Sequence, residues 1–214
     1  MTGDAAPTPR TMPLRIAVLA SGQGTNLQAL LDAVHGREAQ VVAVAGDRAD
    51  APALGRAAAA GIETAAFPRA AHETREERDA AIAAWLVARD VELVVLAGYM
   101  AILTPAFLRA FPDRVLNVHP SLLPAFPGIR AIEQAVDHGV RIFGVTVHLV
   151  DEGVDTGPIV LQDAVVLPGS PDAAQVHAAL QPIEHRLLPE AVRLVARGAL
   201  RRDPDEPRRV RIDG

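Results

Sequence analysis

From residue 14 to residue 198, short apolar runs alternate with stretches in which apolar residues recur every three or four positions, and glycine, proline and polar breaks separate them. Residues 15–20 (Arg-Ile-Ala-Val-Leu-Ala) form the first run, closed by Ser21, Gly22, Gln23, Gly24, Thr25 and Asn26. Leu27, Leu30, Leu31 and Val34 follow at helical spacing, which predicts a strand, a tight glycine turn and a helix. Residues 41–45 read as a second strand. Asp50 then stands where it can cap a helix whose first turn tolerates Pro52 and whose alanine-rich body stops at Gly61. Residues 62–67 are a third, weaker strand, and the capping-box spacing of Thr74 and Glu77 starts a helix over 75–89. A fourth strand at 92–96 runs into the apolar loop 97–103 (Ala-Gly-Tyr-Met-Ala-Ile-Leu), with a helix over 105–111 behind it.

The next strand, 115–119 (Val-Leu-Asn-Val-His), places Asn117 and His119 two residues apart, on one face. Pro120 and Pro124 cannot continue a sheet ladder, so both side chains end up at the carboxyl end of the strand. Open α/β sheets bind their ligands there. A Phe126-Pro127-Gly128 turn and a helix over 131–139 come next. Residues 143–150 and 158–166 alternate in polarity as two hairpin-related edge strands. Between them, residues 151–157 carry three carboxylates and two glycines. By strand parity His148 lies opposite Val147 and Leu149, and it reads as a structural histidine. A long helix is expected over 172–198, interrupted or kinked near Pro182 and Pro189. Residues 1–13 read as a disordered leader, 14–199 as a single domain and 200–214 as a solvated tail.

Composition narrows the picture. Half of the 214 residues are hydrophobic but only 3% are aromatic, so Ala, Val, Leu and Ile must build the core, which suits helices packed on a parallel sheet. The fold class expected is therefore α/β: a three-layer, mostly parallel twisted sheet with helices on both faces and antiparallel edge strands near the C-terminal part. A formal charge of −5 with scattered basic residues offers no positive stripe for nucleic acid. The absence of cysteine excludes disulfides, cysteine-based zinc sites and a thiol nucleophile. No apolar run approaches the roughly 20 residues that span a bilayer, and the leader lacks a signal-peptide core. Cytoplasmic residence is the expectation.

Three features suggest chemistry. The Gly22-x-Gly24 turn before a helix lets backbone N–H groups approach an anion such as phosphate. Its third glycine position in the dinucleotide fingerprint is Leu27, although Asp47 after the next strand keeps a nicotinamide cofactor as an alternative. Arg75 at a helix start opposes the helix dipole, which hints at an anionic partner. Asn117 can donate to an oxyanion, and His119 is a tunable acid or base. If Asp155 lies near them it holds His119 protonated, a set suited to acyl or formyl transfer. No residue stands as a covalent nucleophile beside a base, so the nucleophile comes from the substrate.

These pieces, Ser-Gly-Gln-Gly-Thr-Asn-Leu at 21–27, Ala-Gly-Tyr-Met-Ala-Ile-Leu at 97–103, Asn-Val-His-Pro-Ser-Leu-Leu-Pro at 117–124, Gly-Val-Thr-Val-His-Leu-Val at 144–150 and Asp-Thr-Gly-Pro-Ile at 155–159, occur in an order that resembles the phosphoribosylglycinamide formyltransferases, folate-dependent enzymes of purine synthesis. The resemblance runs from about residue 14 to residue 198. It implies a Rossmann-like formyltransferase fold in which Asn117, His119 and Asp155 are catalytic. It also implies that Gly24, Thr25 and Asn26 hold the substrate phosphate with help from Arg75, that Glu184 contacts the ribose, and that Met100, Ile102, Leu103, Asn117, Val154 and Asp155 line the folate pocket. The co-substrate implied is 10-formyltetrahydrofolate, without a metal. Small molecules are the expected partners, with no nucleic acid and no membrane, for a monomer or homodimer. Ala125 and Arg130-Ala131-Ile132 depart from the family pattern, a basic residue and a His-x-His arrangement, and leave substrate contacts at that turn open. Formyltetrahydrofolate hydrolysis, formyl transfer to initiator tRNA, a nicotinamide-dependent oxidoreductase and a non-catalytic folate-binding module are the alternatives.

Overall fold

The computed structural model describes residues 12–213; most of the leader, residues 1–11, lies outside them. The central sheet has seven strands in the order β3-β2-β1-β4-β5-β6-β7. These are β1 Leu14–Leu19, β2 Ala39–Gly46, β3 Glu63–Ala66, β4 Leu93–Leu96, β5 Val115–His119, β6 Ile142–Leu149 and β7 Ile159–Val166. The first five pair in parallel, whereas β6 is antiparallel to both β5 and β7. Of the two strands expected at an edge, β7 is one; β6 lies inside the sheet because β5 takes up its second ladder. From β1 the chain winds outward to β2 and β3, then returns to lay β4 on β1's other side. That reversal makes a crevice at the carboxyl ends of β1 and β4, the usual ligand position in open α/β sheets.

Strand parity divides the core between two faces. Ile16 and Val18 of β1 join Leu93 and Val95 of β4 in one cluster, together with α1 Thr25–Ala33, α2 Pro52–Ala59, α5 Ala131–Asp137 and α6 Ala173–Ala196. Ala17, Leu19, Val94 and Leu96 point the other way, against α3 Arg75–Val87 and α4 Pro105–Ala110. In β2, Val41 and Val44 share one face although three residues apart, because the β1–β2 register shifts between Ile16 and Ala17. Each shift of one residue reverses the faces that follow it.

Local signals acted as expected at α3, where the Thr74 side chain accepts from the Glu77 N–H at 3.1 Å and Glu77 takes the Glu73 N–H at 3.0 Å. At α2 they did not. Ala51 is the cap residue there, and Asp50 pairs instead with Arg48 at 2.8 Å. Nor do Pro182 and Pro189 interrupt α6, which runs unbroken for 24 residues behind a capping box formed by Asp172 and Gln175. Burial against α1, β6 and β7 compensates for the backbone hydrogen bonds the two prolines remove. The segment read as a solvated tail forms an exposed antiparallel hairpin of β8 Leu200–Arg202 and β9 Val210–Ile212. No described helix is long and apolar enough to cross a membrane.

Candidate active site

Asn117 and His119 share the parity of Val115 on β5, the face that carries α3 and α4 further along the sheet. Over β5 and β6, that face is roofed by the loop 120–128. Leu122 packs so closely over Gly144 that a Cβ there would lie 2.4 Å from its side chain. Beneath the loop, strand pairing sets His148 opposite Asn117 and Thr146 opposite His119. His148, read from the sequence as structural, thus enters the site: its Nε2 is 3.1 Å from the Asn117 amide nitrogen and 3.5 Å from Asp155 Oδ1. Its Nδ1 donates to the Leu149 carbonyl at 2.9 Å, which turns Nε2 toward both the Asn117 amide and the Asp155 carboxylate. The one sequence signal was its place in the alternating run 143–150, which places it on a face but does not say which strand pairs with it.

Asp155 closes the cluster. Oδ2 lies 3.3 Å from His119 Nδ1 and accepts the Gly128 N–H at 2.7 Å, while Oδ1 accepts from Asn117 at 3.3 Å. The other nitrogen of His119, Nε2, donates to the Phe126 carbonyl at 2.8 Å, since a carbonyl oxygen can only accept. The ring is held between a carbonyl and a carboxylate, and a proton on each nitrogen satisfies both. Burial, the largest influence on Asp155, pushes its carboxyl group up. The interaction with His148, the Gly128 N–H and the charges of His119 and His148 together outweigh burial and hold it below the ordinary carboxylate range. Phe126, Arg130 and Asp155 all have positive φ, at 52°, 58° and 53°. Left-handed backbone in residues with side chains costs on the order of 1–3 kcal/mol each and gathers at functional sites.

The glycine turn stands at the carboxyl end of β1. Gly24 caps α1 at φ 73°, and a Cβ there would lie 2.8 Å from the Cα of Ala53. Arg56 and the Ala53 N–H fix the turn through the carbonyls of Gln23 and Gly22. Thr25 opens the helix. Asn26, buried, donates to Glu184 of α6 at 2.8 Å, and its own Oδ1 has no partner. An orphaned acceptor beside a carboxylate suits a ligand that brings hydroxyl or N–H donors. Ser21 ties this turn to the apolar loop after β4, donating its N–H to the Gly98 carbonyl and accepting the Met100 N–H at 2.9 Å.

In that loop Met100 and Ile102 are 69% and 55% exposed, and Val154, next to Asp155 in the chain, is 48% exposed. Large apolar side chains held open at the ligand end of a sheet suit a flat ring. Leu103 differs: it is buried with Phe107 in the core. Met100 and Ile102 also border a cavity of about 660 Å³ with Arg75, Arg78 and Asp47. Arg75, exposed at the start of α3, faces this cavity.

An acid–base cluster on β5 and β6, a glycine turn after β1 and an exposed apolar loop after β4, all at one end of the sheet, are the parts of a group-transfer enzyme of α/β architecture. Residues 14–192 match the formyl transferase family, and the chain belongs to that family. It is 45% identical over 189 residues to the phosphoribosylglycinamide formyltransferase of Mycobacterium tuberculosis, covering 88% of this chain and 87% of that one. The trifunctional purine biosynthetic protein adenosine-3 of Drosophila pseudoobscura pseudoobscura is 44% identical over 193 residues, 88% of this chain but 14% of its own length. The crystal structure of glycinamide ribonucleotide transformylase 1 from Symbiobacterium toebii superposes with a TM-score of 0.91 at 47% identity, over 96% of each chain.

Proposed function

We propose that the protein transfers the formyl group of 10-formyltetrahydrofolate to the glycinamide amine of 5′-phosphoribosylglycinamide. The observation that carries this reading is the Asn117, His119, His148 and Asp155 cluster lying at the same end of the sheet as an anion-suited turn and an apolar slot. Gly24, Thr25 and Asn26 would cradle the phosphate, Glu184 would meet the ribose hydroxyls, and Met100, Ile102 and Val154 would hold the pterin. The amine attacks the formyl carbon and the carbonyl π pair moves onto oxygen. The Asn117 N–H, released from its long 3.3 Å bond to Asp155, and the His119 imidazolium stabilise that oxyanion. Collapse breaks the carbon–N10 bond. The His119–Asp155 pair assists the proton that leaves the amine and arrives on N10, so tetrahydrofolate departs neutral at that nitrogen.

Mixing the two substrates with the enzyme and following both tetrahydrofolate and the formylated amide tests the reading. Stoichiometric appearance of the two products is expected. Tetrahydrofolate that forms equally without the amine would instead assign formyltetrahydrofolate hydrolysis.

A further inference from the structure

One hydrogen-bond network takes no direct part in the reaction yet reaches both of its central groups. The Thr146 hydroxyl, fully buried on β6, donates to the Ser121 carbonyl at 2.7 Å and accepts from the Leu123 N–H at 3.1 Å and the Gln162 amide at 2.8 Å. One donor and two acceptor sites exhaust a hydroxyl. The second Gln162 N–H goes to the Leu123 carbonyl at 3.0 Å. Ser121, also buried, closes the inner turn by donating to the Ala125 carbonyl at 2.6 Å. The polar groups of the roof loop are thus held by side chains of β6 and β7, strands that pair Thr146 directly with Gln162. Immediately after Ala125 come the two backbone groups that touch the catalytic cluster, the Phe126 carbonyl on His119 and the Gly128 N–H on Asp155. Phe126 holds a left-handed conformation at φ 52°, which needs support from its surroundings.

We propose that Thr146, locked by Gln162, is a positioning residue for formyl transfer: it anchors the 120–128 loop so that Phe126 orients the His119 ring and Gly128 clamps Asp155. The inference rests on the formyl-transfer reading for its kinetics, but not for its structural readout. Thr146→Val keeps the side-chain shape and removes the hydroxyl, leaving the Leu123 N–H and Ser121 carbonyl unpaired. Gln162→Met, at an exposed edge-strand position, removes the amide bonds to Thr146 and to the Leu123 carbonyl and leaves the Thr146 hydroxyl in place.

The test measures kcat, KM and the imidazole ¹⁵N–¹H resonances of His119 in the full-length enzyme and each variant. Misplacement of reacting groups by about 1 Å can cost on the order of 100-fold, so Thr146→Val is expected to lower kcat about tenfold or more, with KM for the amine substrate changed less than about threefold. Gln162→Met should lower kcat about threefold. In both, the His119 Nε2–H resonance should move or broaden, and Thr146→Ser, which restores the hydroxyl, should recover the wild-type signal and most of the rate. Unchanged kcat and an unchanged His119 signal in Gln162→Met and in folded Thr146→Val would overturn the proposal. So would a rate loss that only tracks the fraction of folded protein. If the wild-type enzyme transfers no formyl group, the functional reading fails, and the His119 resonance still decides the positioning role.

Discussion

Asp155 illustrates how much two carboxylate oxygens can organise: they meet His119, Asn117, His148 and the Gly128 N–H. An amide at this position would turn one acceptor into a donor aimed at groups that already donate. Asp155→Asn is therefore expected to abolish most turnover, and pH should show the same linkage in stability. Because the folded-state pKa is lowered, the carboxylate's contribution is complete above the ordinary carboxyl range and is lost as pH falls through the folded value. The stability gap between wild type and Asp155→Asn, read from denaturant midpoints, should be constant at neutral pH and shrink below about pH 4. A gap that widens on acidification would contradict it. Asn117→Ala and His119→Ala should each reduce turnover by at least about tenfold, within the range for lost oxyanion or acid–base groups, and both should remain folded. Near-normal rates in both would remove these residues from the mechanism.

At the level of elements, the loop between β6 and β7 is held where the sheet bends. The β6–β7 register shifts between Val147 and His148, beside the residue that reaches Asn117. Bulges of this kind re-aim side chains near active sites. Gly157 then passes so close to β6 that a Cβ would sit 1.8 Å from the Leu149 carbonyl oxygen. Backbone cannot yield as a flexible side chain can. Gly157→Ala should destabilise the protein by about 1–3 kcal/mol, the usual penalty of overpacking, and displace the loop that carries Asp155. Chemical denaturation checks the first effect and turnover the second; a variant of unchanged stability would show that the loop relaxes freely.

Across the whole molecule, two cores pack on opposite faces of the sheet whose β1 and β4 ends frame the crevice. Among the described residues Phe107 is the bulkiest fully buried side chain, and it shares its cluster with Leu103 of the apolar loop and Leu19 of β1. Phe107→Ala should cost about 3–5 kcal/mol and lower affinity for the folate more than affinity for the amine substrate. Unfolding midpoints and the two KM values provide the comparison. Equal changes in both KM values would mean that the cores do not divide the site in this way.

Much of this was legible from residues alone where the physics is local. The two-residue period put Asn117 and His119 on one face, Pro120 ended their strand, Thr74 and Glu77 announced their helix, and the glycine turn marked the end of β1. Competing local partners defeated the Asp50 cap, which Arg48 captured, and tertiary burial overrode both prolines of α6. The sequence by itself determined which side chains had the chemistry and on which strand ends they stood. Only the tertiary structure decided that Asp155 lies beside Asn117 and His119, that His148 joins them, and that Asn26 meets Glu184 across 158 residues. Those pairs depend on strand order, ladder register and helix docking, and such long-range contacts leave no periodicity in the chain from which they could be read.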